Sequence, residues 1–217
     1  MVAQVTKRAK AHRTYALADG TIVPGVTTVL QVLNKPALVR WANRLGLAGI
    51  DSTKYVDDKA AIGELAHQMI ADYLRGEKTD TSEYSKVQID QAENALLSFF
   101  EWEKSNQIEP IFIEEPIVSE TWKFGGTVDC FGKVNNKLTL LDFKTSASIF
   151  PEMKIQVAAY CILLAETQYC HPEDVTILRI GRTPDEGFEV HPVNHLHKRK
   201  ELFCHCLAIY HLQKELK

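Results

Sequence analysis

Two runs rich in apolar and β-branched residues, Thr127 to Val134 and Lys137 to Lys144, meet at Asn135-Asn136. Asn tolerates positive φ better than most residues, so this dipeptide suits a two-residue hairpin turn, and such a turn fixes the register of the strands it joins. Val134 then pairs with Lys137, and stepping outward along both strands brings Asp129 directly opposite Asp142. Facing Cβ atoms in such a pair lie ~5 Å apart. Lys144, two residues beyond Asp142, points to the same face.

Two ionised carboxylates at that separation repel by about 3 kcal/mol at an effective dielectric of about 20. Like charges directly opposed weaken a hairpin, so stability alone does not favour the pair. A divalent cation removes the conflict. Carboxylate oxygens suit Mg²⁺ or Mn²⁺, and a single imidazole is compatible, more readily with Mn²⁺. A nearby lysine offsets charge, donates to a phosphate oxygen or orients an attacking water. Together these are the parts of a metal-assisted phosphodiester hydrolysis site. A register slip, or a bulge at Gly132, would part the carboxylates and leave Lys144 an ordinary surface partner.

Elsewhere the periodicity is mixed. Tyr15 to Val23 reads as two short strands around Asp19-Gly20; Val26 to Leu33 reads as helical, with Thr27 or Thr28 able to cap it; Pro36 opens a further helix. A long helix is expected from Tyr55 to Leu74, stopping at Gly76, with Val56, Ala60, Gly63, His67, Ile70 and Leu74 on one face. A second spans Ser82 to Lys104, with Val87, Ala92, Ala95, Leu96 and Phe99 inward. Strands follow at Ile111 to Ile113 with Ile117-Val118, then the hairpin, a helix after Pro151, strands at Val175 to Ile180 and Phe188 to Val193, and a helical tail. Helices followed by a hairpin-rich sheet interleaved with a helix define an α/β or α+β chain.

The 217 residues, 45% hydrophobic and 24% charged, suffice for one large domain. No apolar run approaches the ~18 residues of a membrane span. Five cysteines, an odd number, suggest free thiols in a reducing compartment and hence a cytoplasmic protein. A net charge of −3 gives no support to a non-specific nucleic-acid coat protein. Basic residues nevertheless cluster at Lys7, Arg8, Lys10 and Arg13, and again at His195, His197, Lys198, Arg199 and Lys200, where they could meet phosphates.

Four ordered motifs, Gly63-Glu64-Leu65-Ala66-His67, Gly126-Thr127-Val128-Asp129, Asp142-Phe143-Lys144 and Gln156-Val157-Ala158-Ala159-Tyr160, resemble the PD-(D/E)XK nuclease superfamily, specifically its RecB-like and phage-exonuclease branch. Pro24-Gly25-Val26-Thr27 and Trp41 also look like phage members of that branch. The resemblance implies a restriction-endonuclease-like core: a central mixed β-sheet flanked by helices, with an N-terminal helical segment. It implies one nuclease domain over 1–217, with the N-terminal hairpin and helices at 14–50, the catalytic core at 55–193 and a C-terminal helix at 195–216.

The same resemblance assigns roles. His67, Asp129, Asp142 and the backbone carbonyl of Phe143 would ligate Mg²⁺ or Mn²⁺, and Lys144 would position or activate water. Gln156 and Tyr160, one helical turn apart, would support the lysine and contact the substrate backbone. Glu64 is the rival ligand to His67; Glu115 is a further accessory acid, with Glu114 equally able to point inward. Trp122, beside Lys123, could stack on a base, and Arg13, Lys198 and Arg199 could meet DNA. Cys204-His205-Cys206 lacks a nearby third cysteine, so no iron–sulfur cluster is expected. The implied activity is a metal-dependent DNA exonuclease acting on DNA with a free end, in phage or bacterial recombination, repair or end processing, as a homo-oligomer or with a recombination partner. A structure-selective endonuclease, or a non-catalytic DNA-binding scaffold on the same fold, is the alternative.

Overall fold

The computed structural model describes residues 13–167 and 171–216; Lys7, Arg8 and Lys10 of the basic N-terminal run lie outside the described residues. Local signals account for most element boundaries. Helix α3 (Ser52–Arg75) starts where the Asp51 carboxylate accepts the amides of Thr53 and Lys54, and ends at Gly76, which adopts the left-handed conformation at φ 73°. Helix α4 (Lys86–Glu103) starts later than its periodicity predicts, because Ser85 and Gln88 form a reciprocal capping box. Ser82 therefore lies in a turn, and Val87, expected inward, is 57% exposed.

Ahead of these, β1 (Tyr15–Ala16) and β2 (Ile22–Val23) form the expected small hairpin. Helix α1 (Val26–Val29) is a single turn running into a 3-10 turn at Leu30–Val32, with Gly25 at the cap position. Neither Thr27 nor Thr28 caps it, since both lie inside the turn. Helix α2 (Pro36–Leu47) begins at its proline.

The central sheet comprises β3 (Ile108–Ser119), β4 (Phe124–Val134), β5 (Lys137–Lys144), β6 (Asp174–Ile180) and β7 (Phe188–Pro192), side by side in that order. Neighbours are antiparallel except β5 and β6, which are parallel and joined across one face by α5 (Pro151–Glu166). Helix α6 (Leu196–Glu215) packs beside α5. On this face the core includes Val128, Leu140, Ile177, Leu163 and Phe203; on the other, α3 and α4 bury Leu65, Ile70 and Phe99 against Leu141, Phe143 and Leu178. The result is the mixed sheet with helices on both faces expected of a restriction-endonuclease-like core.

The apolar stripe of α3 runs through Ile62, Leu65, Ala66, Met69 and Ile70, whereas Val56 is exposed. His67 therefore stands at the margin of that stripe rather than in its middle. That offset lets its ring reach the end of the sheet.

Candidate metal and phosphodiester site

Asn135 and Asn136 both take positive φ, 50° and 66°, and set the register the turn dictates, from Val134 opposite Lys137 to Cys130 opposite Leu141. The next step would oppose Asp129 and Asp142, and there the ladder stops. The Asp129 carboxylate accepts the Phe143 amide at 2.8 Å in place of a backbone carbonyl. Both carboxylates are thus buried at the point where β4 and β5 part, with Asp142 1% and Asp129 8% exposed.

His67 comes in from α3. Its Nδ1 lies 3.5 Å from Asp129 Oδ2 and 3.6 Å from Glu114 Oε1. The Phe143 ring holds the imidazole edge-on, with centroids 6.0 Å apart. Glu114 lies on β3 between Ile113, paired with Cys130, and Glu115, paired with Val128, so it faces Asp129. Its φ of 51° is a left-handed value that non-glycine residues adopt sparingly and that recurs at functional sites. Lys144 Nζ lies 2.5 Å from Asp142 Oδ2. On α5, Gln156 Nε2 donates to the Tyr160 hydroxyl at 2.6 Å.

The double glycine ahead of Asp129 is a matter of space. A Cβ on Gly126 would sit 2.7 Å from Tyr160 Cε1, and one on Gly125 would sit 2.5 Å from Tyr15 Cγ. Gly63 similarly lets α3 approach the end of β5, where a Cβ would stand 3.2 Å from Thr145 Oγ1. The glycines of two motifs thus bring α3, α5 and the N-terminal hairpin onto one strand end.

Electrostatics follow from burial and crowding. Burial works against a charged His67, but the carboxylates of Asp129 and Glu114 outweigh it and push the imidazole up to about 10. Burial pushes Asp142 up, assisted by the Asp129 charge and resisted by Lys144. Asp129 is held below the usual carboxylate range: His67, Lys144 and the Phe143 amide overcome its desolvation. Lys144 stays charged, because its two aspartates outweigh burial and raise it.

Among the described residues, His67, Glu114 and Asp129 offer one ligand atom each within 4.8 Å of one another, a set compatible with a divalent cation. Asp142, the further ligand the resemblance implies, lies beside this set and engages Lys144, its same-face neighbour two residues along. Its Oδ2 is taken by the Lys144 ammonium, and the buried Oδ1 finds no hydrogen-bond partner, so the site retains carboxylate capacity that suits a cation. Beside this cluster opens a cleft of about 650 Å³ whose lining includes Arg13, Glu64, His67, Glu114, Lys144 and Gln156.

Several expected residues are placed elsewhere. Glu115 pairs with Val128, and Glu114 is the acid beside His67. Trp122 and Lys123 sit in the exposed β3–β4 turn, beyond the start of β4 and outside the lining of the cleft. Lys198 and Arg199 lie in the first turn of α6, which follows the end of β7 remote from Lys144; Arg199 there donates to the Asn194 carbonyl. Sequence alone does not separate Glu114 from Glu115. The four-residue connection closed by Ser119 opposite Phe124 carries the register that puts it against Asp129.

Neither a family model nor a curated protein sequence matches the chain. Among solved structures, the chain is similar to a candidate exonuclease from Eubacterium rectale at 13% identity and a TM-score of 0.45, over 65% of this chain and 63% of that one. It is also similar to an alkaline exonuclease from Laribacter hongkongensis at 15% identity, over 71% of this chain and 84% of that one, with a TM-score of 0.34. The complex of that exonuclease with dAMP gives 15% identity, 71% and 82% coverage and a TM-score of 0.39. These are distant likenesses, and what the chain does must be read from its own residues.

Proposed function

We propose that this chain is a Mg²⁺- or Mn²⁺-dependent deoxyribonuclease that hydrolyses phosphodiester bonds from a DNA end. The observation that carries the reading is the meeting of His67, Glu114 and Asp129 beside the buried Asp142–Lys144 pair, at one strand end bordering a cleft. His67, Glu114 and Asp129 would hold the cation, with Asp142 and the Phe143 carbonyl completing the set. A bound divalent ion would supply Lewis-acid stabilisation of charge developing on the phosphoryl oxygens.

The protein's own groups do the rest. The ammonium of Lys144, kept charged by Asp142 and Asp129, orients the attacking water and donates to a non-bridging phosphate oxygen. Water attacks phosphorus and gives up a proton to solvent, the bond to the sugar oxygen breaks, and that oxygen leaves with a proton from solvent. Gln156 lies on the cleft wall with its amide fixed by Tyr160, and so steadies the substrate backbone beside Lys144. Arg13, which also lines the cleft, would pair its guanidinium with incoming phosphate.

The motif resemblance adds the setting: DNA recombination, repair or end processing in a bacterial or phage-infected cytoplasm. Time-resolved digestion of 5′- and 3′-labelled linear single-stranded and duplex DNA tests the activity, with covalently closed circles and chelator as controls. Ordered shortening of linear DNA that chelator abolishes is the expected result. Cutting of closed circles would make the enzyme an endonuclease, and no cutting with either cation would overturn the catalytic reading.

A further inference from the structure

From Gly20 to Ile50 the chain contains no aspartate or glutamate, while Lys35, Arg40 and Arg44 carry positive charge. In a molecule of net charge −3 this is a local inversion of sign. The segment includes α2, all twelve residues of which are at least partly exposed. Arg40 and Arg44 are one turn apart and share a helix face with Asn43. Ala37, Arg40, Asn43 and Arg44 line a groove of about 550 Å³, and neither arginine pairs with an acid among the described residues.

The placement of α2 gives that charge a purpose. At its start, Lys35 Nζ pairs with Glu152 at 3.0 Å, one turn before Gln156 on the α5 wall of the cleft. At its middle the Trp41 ring packs edge-to-face on Tyr55, near the start of the helix that supplies Glu64 and His67 to the cleft. Helix α2, about 18 Å long, is thus tied to α5 at its start and to the beginning of α3 at its middle, with Arg40 and Arg44 exposed beside those anchors. A solvated helix face would ordinarily intersperse both signs; this one holds only cations, beside a site whose own carboxylates repel a polyanion.

We infer that the Arg40–Asn43–Arg44 face of α2 is a DNA-backbone contact, gripping phosphates of the strand outside the cleft. The inference deepens the nuclease reading and rests on it only for the choice of DNA over other polyanions. Contacts of this kind are sequence-independent and raise affinity in proportion to the counterions they release.

The test is fluorescence anisotropy with labelled single-stranded and duplex probes of about 20 nucleotides, in chelator, with salt varied from about 50 to 200 mM. Wild type is compared with R40Q/R44Q and R40K/R44K, and unfolding midpoints establish that all three are folded. For R40Q/R44Q the slope of log affinity against log salt should fall by about 1.8 for duplex and about 1.4 for single strand, with a loss of affinity of about tenfold or more near 0.1 M salt. R40K/R44K should restore most of the slope. Superimposable curves for wild type and R40Q/R44Q, or binding to phosphatidylserine vesicles with none to DNA, would overturn the inference. DNA cleavage by the wild type is followed separately. Binding with the expected slopes but no cleavage would remove the nuclease reading and leave this one standing; cleavage with superimposable curves would do the reverse.

Discussion

The Asp129 carboxylate accepts the backbone amide of Phe143 at 2.8 Å, so one side chain both closes the end of the β4–β5 ladder and presents its charge to His67. Removing it has separable consequences. Asp129→Asn keeps an oxygen for the amide, whereas Asp129→Ala leaves a buried N–H unsatisfied at a cost of about 1–3 kcal/mol. Both variants should lose cation binding and at least about a hundredfold in hydrolysis. Urea unfolding should rank Asp129→Ala below Asp129→Asn by that margin; equal stability would show that the bond contributes nothing.

Lys144 is the counter-ion of a carboxyl that is 1% exposed. Breaking such a pair from one side costs about 3 kcal/mol or more while the remaining charge is ionised. Lys144→Ala should therefore abolish cleavage and destabilise the fold most at alkaline pH. The sign follows from Asp142, whose folded carboxyl is already pushed up by burial and rises further without the ammonium. Stability contributed by a raised acid is present below its unfolded value and lost as pH rises through the folded one. The deficit should accordingly shrink as pH falls from about 8 to 5, read from denaturation midpoints.

His67, pushed up to about 10 by Asp129 and Glu114, is protonated at neutral pH in the cation-free protein. A ring nitrogen must give up that proton to coordinate, so cation affinity should rise by about tenfold per pH unit between roughly pH 7 and 9. Calorimetry in buffers of different ionisation enthalpy should find close to one proton released per ion bound. The same linkage makes the His67 contribution to stability fully present below its unfolded value near 6.5 and lost as pH rises through about 10. His67→Gln should flatten that alkaline slope.

Gly126→Ala should cost about 1–3 kcal/mol, because the new methyl meets the Tyr160 ring at 2.7 Å and 3.1 Å. The displaced ring carries the hydroxyl that holds Gln156, so cleavage should fall along with stability. In a Tyr160→Ala background most of the added cost should vanish, leaving the milder contact with Leu163 at 3.2 Å. A double-mutant cycle with no coupling would show that the glycine does not serve that close approach.

The hairpin was legible because its register is a local matter: two asparagines at positive φ count residues outward to Asp129 and Asp142 with no reference to the rest of the chain. The long helices were legible in kind and location, and capping fixed their ends where periodicity overran, as at Ser85. What escaped depends on non-local facts. Choosing Glu114 over Glu115 requires the β3 register and a left-handed backbone at Glu114 itself. The position of His67 at the margin of its stripe depends on how α3 tilts against Phe143. The separation of Lys198 and Arg199 from the cleft depends on strand direction, which composition does not carry.

The proposed site gathers parts of very different chain separation. Its two aspartates belong to a single tight-turn hairpin, able to form on the microsecond scale, whereas the imidazole arrives from a helix about 60 residues upstream and must await closure of a long loop. A full-length chain folding from the unfolded state therefore closes its acidic pair well before the imidazole docks to complete a metal cage. Half-folded molecules are disarmed by topology, and competence to cut arrives only with the finished architecture.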